Sequence, residues 1–157
     1  MLLNSVVRLD NSRLVVDQTT PDIYRRDGLW IPKGTVHLRR DLVMHDYSLT
    51  ERLVITSYCA GTLHLPLEYR YAADFRDVFE VRGVRRAARG RDRDAVIEAQ
   101  SVVLGYDGLD HVARRTRIGF DHPPDAIRQD WCRFDLTLPR GEPFARETKI
   151  SCDSGGA

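Results

Sequence analysis

The sequence has no long apolar run and few cysteines, and each scarcity excludes a class of protein. No stretch approaches the roughly 18 apolar residues that a membrane helix needs. The start of the chain also lacks the positive n-region and apolar h-region of a signal peptide. The three cysteines, Cys59, Cys132 and Cys152, show no CxxC spacing. They therefore predict neither a disulfide framework nor an oxidising compartment, and a cytoplasmic location is expected.

The charges nearly cancel, because 24 basic residues oppose 23 acidic ones and the net charge is +1. Such a chain has no overall field that would recruit nucleic acid or an anionic membrane, so neither is an expected partner. The arginine-rich stretch 82–94 is interrupted by Asp92 and Asp94 and contains no aromatic residue that could stack a base. We interpret it as an exposed loop between two strands.

A period of two dominates the distribution of apolar residues. In LHLPLEYRY at 63–71 every odd position is large and apolar or aromatic, and in CRFDLTL at 132–138 every even position is apolar. This alternation places one face of each strand in a core and the other in water. Pro66 cannot donate to a sheet ladder, which predicts that its strand lies at an edge or leaves that nitrogen unpaired.

Weaker alternation at 36–44, 49–55 and 118–120, with glycine and proline turn signals between the runs, completes the pattern. It predicts an all-β fold, an antiparallel β-sandwich of the supersandwich type with little helix. One domain is expected over residues 1–152, followed by a disordered tail over 153–157. The best helix candidate, at 73–79, is marginal.

Three carboxylates, Asp74, Asp77 and Glu80, lie close together in the chain. Glycoside hydrolysis needs two carboxylates about 5–10 Å apart, one protonated and one charged, so the trio suggests a small glycosidase as one alternative. The interpretation that we favour is that these acids pair with neighbouring arginines or cap a turn. Three nearby acids arise by chance in any chain that is so rich in charge.

Aromatic residues offer another alternative. Trp30, Trp131 and Tyr106 could stack on the apolar face of a pyranose ring, which would make the chain a stand-alone carbohydrate-binding module. Aromatic residues of a sandwich more often pack in its core. The five histidines form no HxH or HExxH pair, so the sequence predicts no metal site and no cofactor.

Four strings are more informative than the composition. IPKGTVHLRR at 31–40 is followed by ERLVITSY at 51–58, ADFRDVFEVRG at 73–83 and YDGLD at 106–110. In this order and at this spacing they resemble the N-terminal domain of bacterial and archaeal glycogen-debranching proteins of the amylo-α-1,6-glucosidase type. The resemblance extends from about residue 14 to residue 150, and DFxDVFEVRG is its most specific piece.

The resemblance implies a β-sandwich that precedes a helical (α/α) barrel, with the catalytic carboxylates in the barrel and glucan metabolism as the setting. The family domain usually begins with further strands, and the barrel is absent, so a piece of a larger enzyme or a truncated reading frame is implied. No catalytic residue can be carried over, because no position matches. The expected partners are a barrel of the same or a neighbouring polypeptide and α-glucan. A plain interaction domain without sugar contact stays open.

The string at 73–83 also predicts a docking surface. If it stays extended, its alternate residues form a charged face and an apolar face. The charged face comprises Asp74, Arg76, Glu80 and Arg82, and the apolar face comprises Phe75, Phe79 and Val81. We expect the charged face to meet the barrel, while Phe75 and Phe79 hold the strand in the sandwich. Gly83 would end the strand at a positive φ.

Overall fold

The computed structural model describes residues 1–156 of the chain, with side chains through residue 153. In chain order its elements are β1 (Leu2–Val7), β2 (Arg13–Thr19), β3 (Ile23–Arg25), β4 (Gly28–Ile31), β5 (Val36–His45), β6 (Ser48–Ser57), β7 (Leu63–Arg70), α1 (Val78–Val81), β8 (Arg91–Ile97), β9 (Ser101–Asp107), β10 (Val112–Phe120), β11 (Ala126–Ile127), β12 (Trp131–Leu138) and β13 (Pro143–Gly156). Within the described residues, no helix has the length and apolar character of a membrane span.

The strands form two sheets and a hairpin. The large sheet has eight strands in the order β1-β2-β5-β6-β13-β10-β9-β8, and the small sheet has three in the order β11-β12-β7. Strands β3 and β4 form the separate hairpin. All strand pairings in these sheets are antiparallel. The predicted all-β antiparallel sandwich is confirmed.

Aromatic side chains join the two sheets at the centre of the core. Phe120 of the large sheet lies 5.6 Å from Phe134 and 6.0 Å from Tyr69 of the small sheet, measured between ring centroids. Phe134 and Tyr69 are 6.1 Å apart and edge to face, an arrangement that aromatic quadrupoles favour. Burial raises the pKa of the Tyr69 hydroxyl to about 12. The trio therefore belongs to the core.

The period of two is confirmed in both strands that carry it most clearly. In β12, Cys132, Phe134, Leu136 and Leu138 are buried, while the residues between them are exposed. In β7 the odd positions are buried or half-buried and the even positions are exposed. Strand β7 is at an edge of the small sheet, so Pro66 lies where one side of the ladder needs no donor, as predicted.

The opposite face of the large sheet is polar. Because Val36 and Leu38 of β5 contact the core, the odd residues of that strand point the other way. Asp41 on this face accepts a hydrogen bond of 2.8 Å from Nε of Arg13, and that guanidinium lowers the pKa of the carboxyl. Arg117 and Glu98 form a similar pair at 2.7 Å. Exposed pairs of this kind add little stability, and they mark a solvated face.

Strand β13 lies at the centre of the large sheet, between β6 and β10. Phe144 is opposite Ile55 of β6, and Ile150 is opposite Ile118 of β10. The strand continues to Gly156 through its pairing with β10. This corrects the expected disordered tail for residues 153–156, since β10 is long enough to pair with them. Ala157 lies outside the described residues.

The connection between β7 and β8 differs from its prediction. Residues 78–81 form the helix α1 where an extended strand is expected, so that Phe79 and Val81 are 58% and 71% exposed and do not hold the segment in the sandwich. The helix overlaps the predicted helix candidate at 73–79 only at residues 78 and 79. The loop predicted over 82–94 ends earlier, because β8 pairs with β9 from Arg91 onward. Gly83 has a φ of +96°, as predicted.

The core assignment can be tested at Leu136, which is buried and lies opposite Leu65 in the small sheet. We expect Leu136→Ala to lower the free energy of unfolding by about 2–5 kcal/mol, because it removes buried apolar surface and leaves a cavity. Thr137→Ala, on the exposed face of the same strand, is the matched control. Urea denaturation of both variants measures the difference, and equal midpoints would show that the inward face is assigned wrongly.

Candidate functional site

A cleft of about 740 Å³ opens between the β7–β8 connection and the large sheet. Its sheet side includes Tyr106 of β9, Thr116 of β10 and Cys152 of β13, which share the inward face of adjacent strands. The connection supplies the other side, with Phe75 and the residues that follow it. We call this space the inner cleft. It forms because the small sheet covers only part of the large one.

Asp77 begins α1 and shapes the wall of the cleft. Its Oδ1 accepts hydrogen bonds from the backbone N–H groups of Phe79 at 2.8 Å and Glu80 at 2.9 Å. The side chain of Glu80 accepts in turn from the N–H of Asp77 at 3.2 Å, which completes a capping box. The N–H of Glu80, followed by the hydrogen bond from Arg86, lowers the pKa of the Asp77 carboxyl.

Glu80 points inward and connects the helix to the loop that follows. Its side chain is 13% exposed and lies 3.9 Å from Nε of Arg86 and 3.6 Å from Nε of Arg89. Arg86 also pairs with Asp77, and Arg89 donates to the backbone carbonyl of Asp74. The two carboxylates are thus held by two arginines. This arrangement fixes the connection in a folded form and excludes an extended one.

Phe75 anchors the connection on the large sheet. It has a φ of +48°, and its ring stacks on Tyr106 with a centroid distance of 5.3 Å and an interplanar angle of 10°. The Tyr106 hydroxyl accepts a hydrogen bond of 2.7 Å from the N–H of Gly90. A Cβ at Gly90 would lie 1.9 Å from the carbonyl oxygen of Asp107, so only glycine fits where the connection enters β8.

A second rigid group, from the β9–β10 turn, borders the cleft. Arg114 donates two hydrogen bonds to Asp110, one of 3.0 Å to Oδ1 and one of 2.6 Å to Oδ2. This fork holds the pKa of the Asp110 carboxyl well below its usual range, aided by the N–H of Val112. A Cβ at Gly108 would come within 2.2 Å of Asp110 and 2.4 Å of Arg114, so the fork packs directly against the glycine.

Tyr47 stands at the rim of the inner cleft. It lies in the tight turn between β5 and β6, where Asp46 has a φ of +50°, and it is 85% exposed. Its backbone carbonyl accepts a hydrogen bond of 3.0 Å from the N–H of Cys152, which attaches the turn to β13. The backbone of this residue is therefore fixed while its ring is open to solvent.

The structure does not assemble the predicted charged docking face. Asp74 and Arg76 are exposed and lie 3.6 Å apart, whereas Glu80 is turned into the cleft. Arg82 is exposed and ends α1 as its C-cap. The expectation of four side chains on one strand face is wrong because the segment is helical from residue 78. The helix instead presents exposed apolar side chains.

The two tryptophans do not form a common platform. Trp30 lines a separate cleft of about 340 Å³, and the guanidinium of Arg25 lies 3.4 Å from its ring centroid, which covers one face of the ring. Trp131 is half-buried, with Arg128 6.0 Å from its ring centroid. Tyr106, the third aromatic candidate, is buried beneath Phe75. None of the three offers a pair of open ring faces.

Cys132 is buried in the core. Burial raises the pKa of Cys132 to about 11, which opposes a role as a nucleophile. Among residues 1–156 there is no group of three or more His, Cys, Asp or Glu side chains that could hold a metal ion.

Sequence reasoning missed Tyr47 and the Asp110–Arg114 fork. Tyr47 follows an aspartate between two alternating runs, which is a turn signal, but nothing local shows which way the turn points. Asp110 and Arg114 are four positions apart, a spacing that is informative on a helix and uninformative across a β-turn. Their meeting depends on the turn geometry at Gly108. Only the paired strands bring these residues to one cleft.

The sequence matches one family model, and the fold is similar to parts of larger proteins. Residues 1–148 match the profile of a family described as the N-terminal domain of (some) glycogen debranching enzymes. The chain is similar to the solved structure of a "Putative kojibiose phosphorylase from human microbiome", with a TM-score of 0.69 and 9% identity over 97% of this chain. It spans 19% of that chain. A polysaccharide lyase aligns over 96% of this chain and 22% of its own, with 12% identity and a TM-score of 0.47. No curated protein matches.

The capping role of Asp77 can be measured directly. We expect Asp77→Ala to raise the hydrogen-exchange rates of the Phe79 and Glu80 amides roughly tenfold, because the carboxylate that accepts from them is lost. Asp27→Ala, in the β3–β4 turn, is the control and should leave both rates unchanged. Unaltered exchange in Asp77→Ala would contradict the capping role.

The same prediction has a pH dependence with a defined sign. The pKa of Asp77 is lowered in the folded protein from an ordinary value of 3.8. The cap therefore contributes stability above the unfolded pKa and loses it as the pH falls through the folded pKa. Protection of the two amides should persist at about pH 5 and decline only below about pH 4.

Proposed function

Because the chain belongs to the family of N-terminal domains of some glycogen debranching enzymes, we propose that it is a non-catalytic accessory domain of a glycosidase. In this proposal it packs on a helical (α/α) barrel and contributes to the edge of the barrel's α-glucan cleft. The observation that carries the proposal is that three of the four carboxylates of its own cleft, those of Asp77, Glu80 and Asp110, are bound to arginines and backbone groups, which opposes their use in acid catalysis.

A glycosidase needs one carboxylic acid that stays protonated near neutral pH and a second, charged carboxylate about 5–10 Å away. In the inner cleft the pKa values of Asp77 and Asp110 are shifted in the opposite direction, downward. Glu80 accepts from the backbone of Asp77 and lies against two arginines. Each of these groups serves the fold. This supports a domain that does not hydrolyse glycosides and disfavours the small-glycosidase alternative.

The docking surface that we propose consists of the exposed apolar side chains of α1 and of the turn that follows the helix. Val78, Phe79, Val81 and Val84, which we call the α1 patch, are all more than half exposed. Four exposed apolar side chains so close together in a folded domain are typical of a surface that a partner covers. In the kojibiose phosphorylase structure the region similar to this chain is 19% of the polypeptide, so a domain of this fold is there joined to a much larger remainder.

The carbohydrate-binding alternative on Trp30 and Trp131 has less support, because each ring has an arginine nearby and neither lies in the larger cleft. We also propose a cytoplasmic setting. Among the described residues no disulfide is formed, and Cys59, Cys132 and Cys152 are all free thiols. Free thiols of this kind, one of them exposed, are compatible with a reducing compartment.

The first test is enzymatic. We expect the purified chain to release no sugar from a branched α-glucan or from a chromogenic glucoside, since Asp77, Glu80 and Asp110 are held by backbone groups and arginines. Turnover that is abolished in Asp77→Asn or Glu80→Gln, but kept in the exposed control Glu142→Gln, would refute the non-catalytic role.

The second test concerns docking. We expect Phe79→Ala to weaken association with a separately expressed helical-barrel domain of the family by roughly tenfold or more, because it removes an aromatic ring from the centre of the α1 patch. Arg82→Ala should also weaken association. Neither variant should change the melting temperature of this chain, since both side chains are exposed.

Leu9→Ala, at a fully exposed apolar residue outside the α1 patch, is the matched control and should bind like the unmodified chain. Isothermal titration calorimetry measures the affinities. If Phe79→Ala lowered the melting temperature and left barrel binding unchanged, the patch would belong to the fold and not to the interface.

A further inference from the structure

We propose that the inner cleft is itself a binding site for a neutral oligosaccharide, with Tyr47 as the stacking residue and the Asp110–Arg114 fork as its main polar contact. The choice of an α-glucan as the first ligand to test rests on the proposed function. The site itself is inferred from the shape, the aromatic content and the charge balance of the cleft.

The size and composition of the cleft suit a ligand of a few sugar rings. Its volume of about 740 Å³ lies within the range of about 300–1,000 Å³ that is typical of small-molecule sites. Tyr47, Phe75, Tyr106 and Leu109 give its lining an apolar component. A pyranose ring has an apolar face of C–H groups and an edge of hydroxyl groups, so it needs both kinds of wall.

Tyr47 is the aromatic residue of the cleft whose ring is open to a ligand. Phe75 and Tyr106 stack on each other. Tyr47 takes part in none of the aromatic or cation–π pairs found among the described residues. It is 85% exposed although its backbone is attached to β13. A ring that is positioned in this way can stack on a sugar without first losing another partner.

The charges of the cleft favour a neutral ligand over a phosphate. The lining carries five arginines, and four carboxylates lie among them. Arg86 pairs with Asp77, Arg89 with Glu80 and Arg114 with Asp110. At these three arginines, binding of an anion would require the guanidinium to leave its carboxylate. A hydroxyl group donates and accepts at once, so it can bind an arginine and a carboxylate that remain paired.

The polar groups are also fixed before any ligand binds. The Asp110–Arg114 fork has two hydrogen bonds, of 3.0 Å and 2.6 Å, and packs on Gly108. On the opposite wall, the capping box and the two arginines around Glu80 hold the connection in place. A site that is already ordered loses little side-chain entropy on binding.

Calorimetric titration of the intact chain with maltoheptaose tests the proposal, with inorganic phosphate as the competing probe. We expect saturable binding of maltoheptaose that Tyr47→Ala weakens at least tenfold and that phosphate does not displace. Tyr24→Ala is the matched control, because Tyr24 is 67% exposed on a different hairpin. Asp110→Asn should weaken binding as well, and chemical-shift changes at Gly108 and Tyr106 should report occupancy.

Absence of maltoheptaose binding, or binding that Tyr47→Ala leaves intact and Trp30→Ala abolishes, would overturn the proposal. Displacement of the sugar by phosphate would also overturn it, because it would show an anion site. Equal melting temperatures for all variants ensure that a loss of binding is not a loss of folding. The association of Tyr47→Ala with the helical-barrel domain is measured separately. Because docking depends on the α1 patch, this measurement distinguishes a failure of the sugar site from a failure of the docking function.

Discussion

The structure depends on the packing of a narrow sheet against a wide one. The small sheet has three strands and the large sheet has eight, and the aromatic trio of Tyr69, Phe120 and Phe134 joins them. Since three strands cannot cover eight, part of the inward face of the large sheet lies outside this contact. The connection between β7 and β8 crosses some of that area. The space left between the connection and the sheet is the inner cleft.

The charged residues of the connection act on its conformation. Asp77 and Glu80 satisfy backbone N–H groups at the start of α1 and hold Arg86 and Arg89, while Phe75 stacks on the sheet. The same carboxylates that would suggest hydrolysis from their number are therefore used as a cap and as counter-ions. Their position turns the apolar side chains of α1 outward, which creates the surface proposed for docking.

The sequence allowed prediction of the features that depend on local periodicity. The alternation of β7 and β12, the edge position of Pro66 and the positive φ of Gly83 all follow from short-range steric and hydrogen-bonding rules, and the structure agrees. The conformation at 74–83 was predicted wrongly, because its apolar residues fit an extended strand as well as a helix. The local signal that decides for the helix is the capping-box spacing of Asp77 and Glu80.

The inner cleft could not be predicted from the sequence. Tyr47 and Cys152 are far apart in the chain, and they meet because β6 and β13 are neighbours in the sheet. Residue type alone pointed to Trp30 and Trp131 as sugar-stacking residues. In the structure, exposure at the rim of the cleft makes Tyr47 the candidate for this role. The pairing of distant strands determines both the contact between Tyr47 and Cys152 and the position of Tyr47 at the cleft rim. The periodicity of a strand does not show which other strand it will pair with.

The central position of β13 also affects how the chain can reach this fold. Strands β1, β2, β5 and β6 form one half of the large sheet, strands β8, β9 and β10 form the other, and β13 is the strand between them. The halves are built largely from local hairpins, which close early because their loops are short. During synthesis both halves emerge before β13, and each then has an unpaired edge at β6 or β10. The sheet becomes continuous only when residues 143–156 pair with both edges, so joining the halves is a late, long-range step that follows translation of nearly the whole domain.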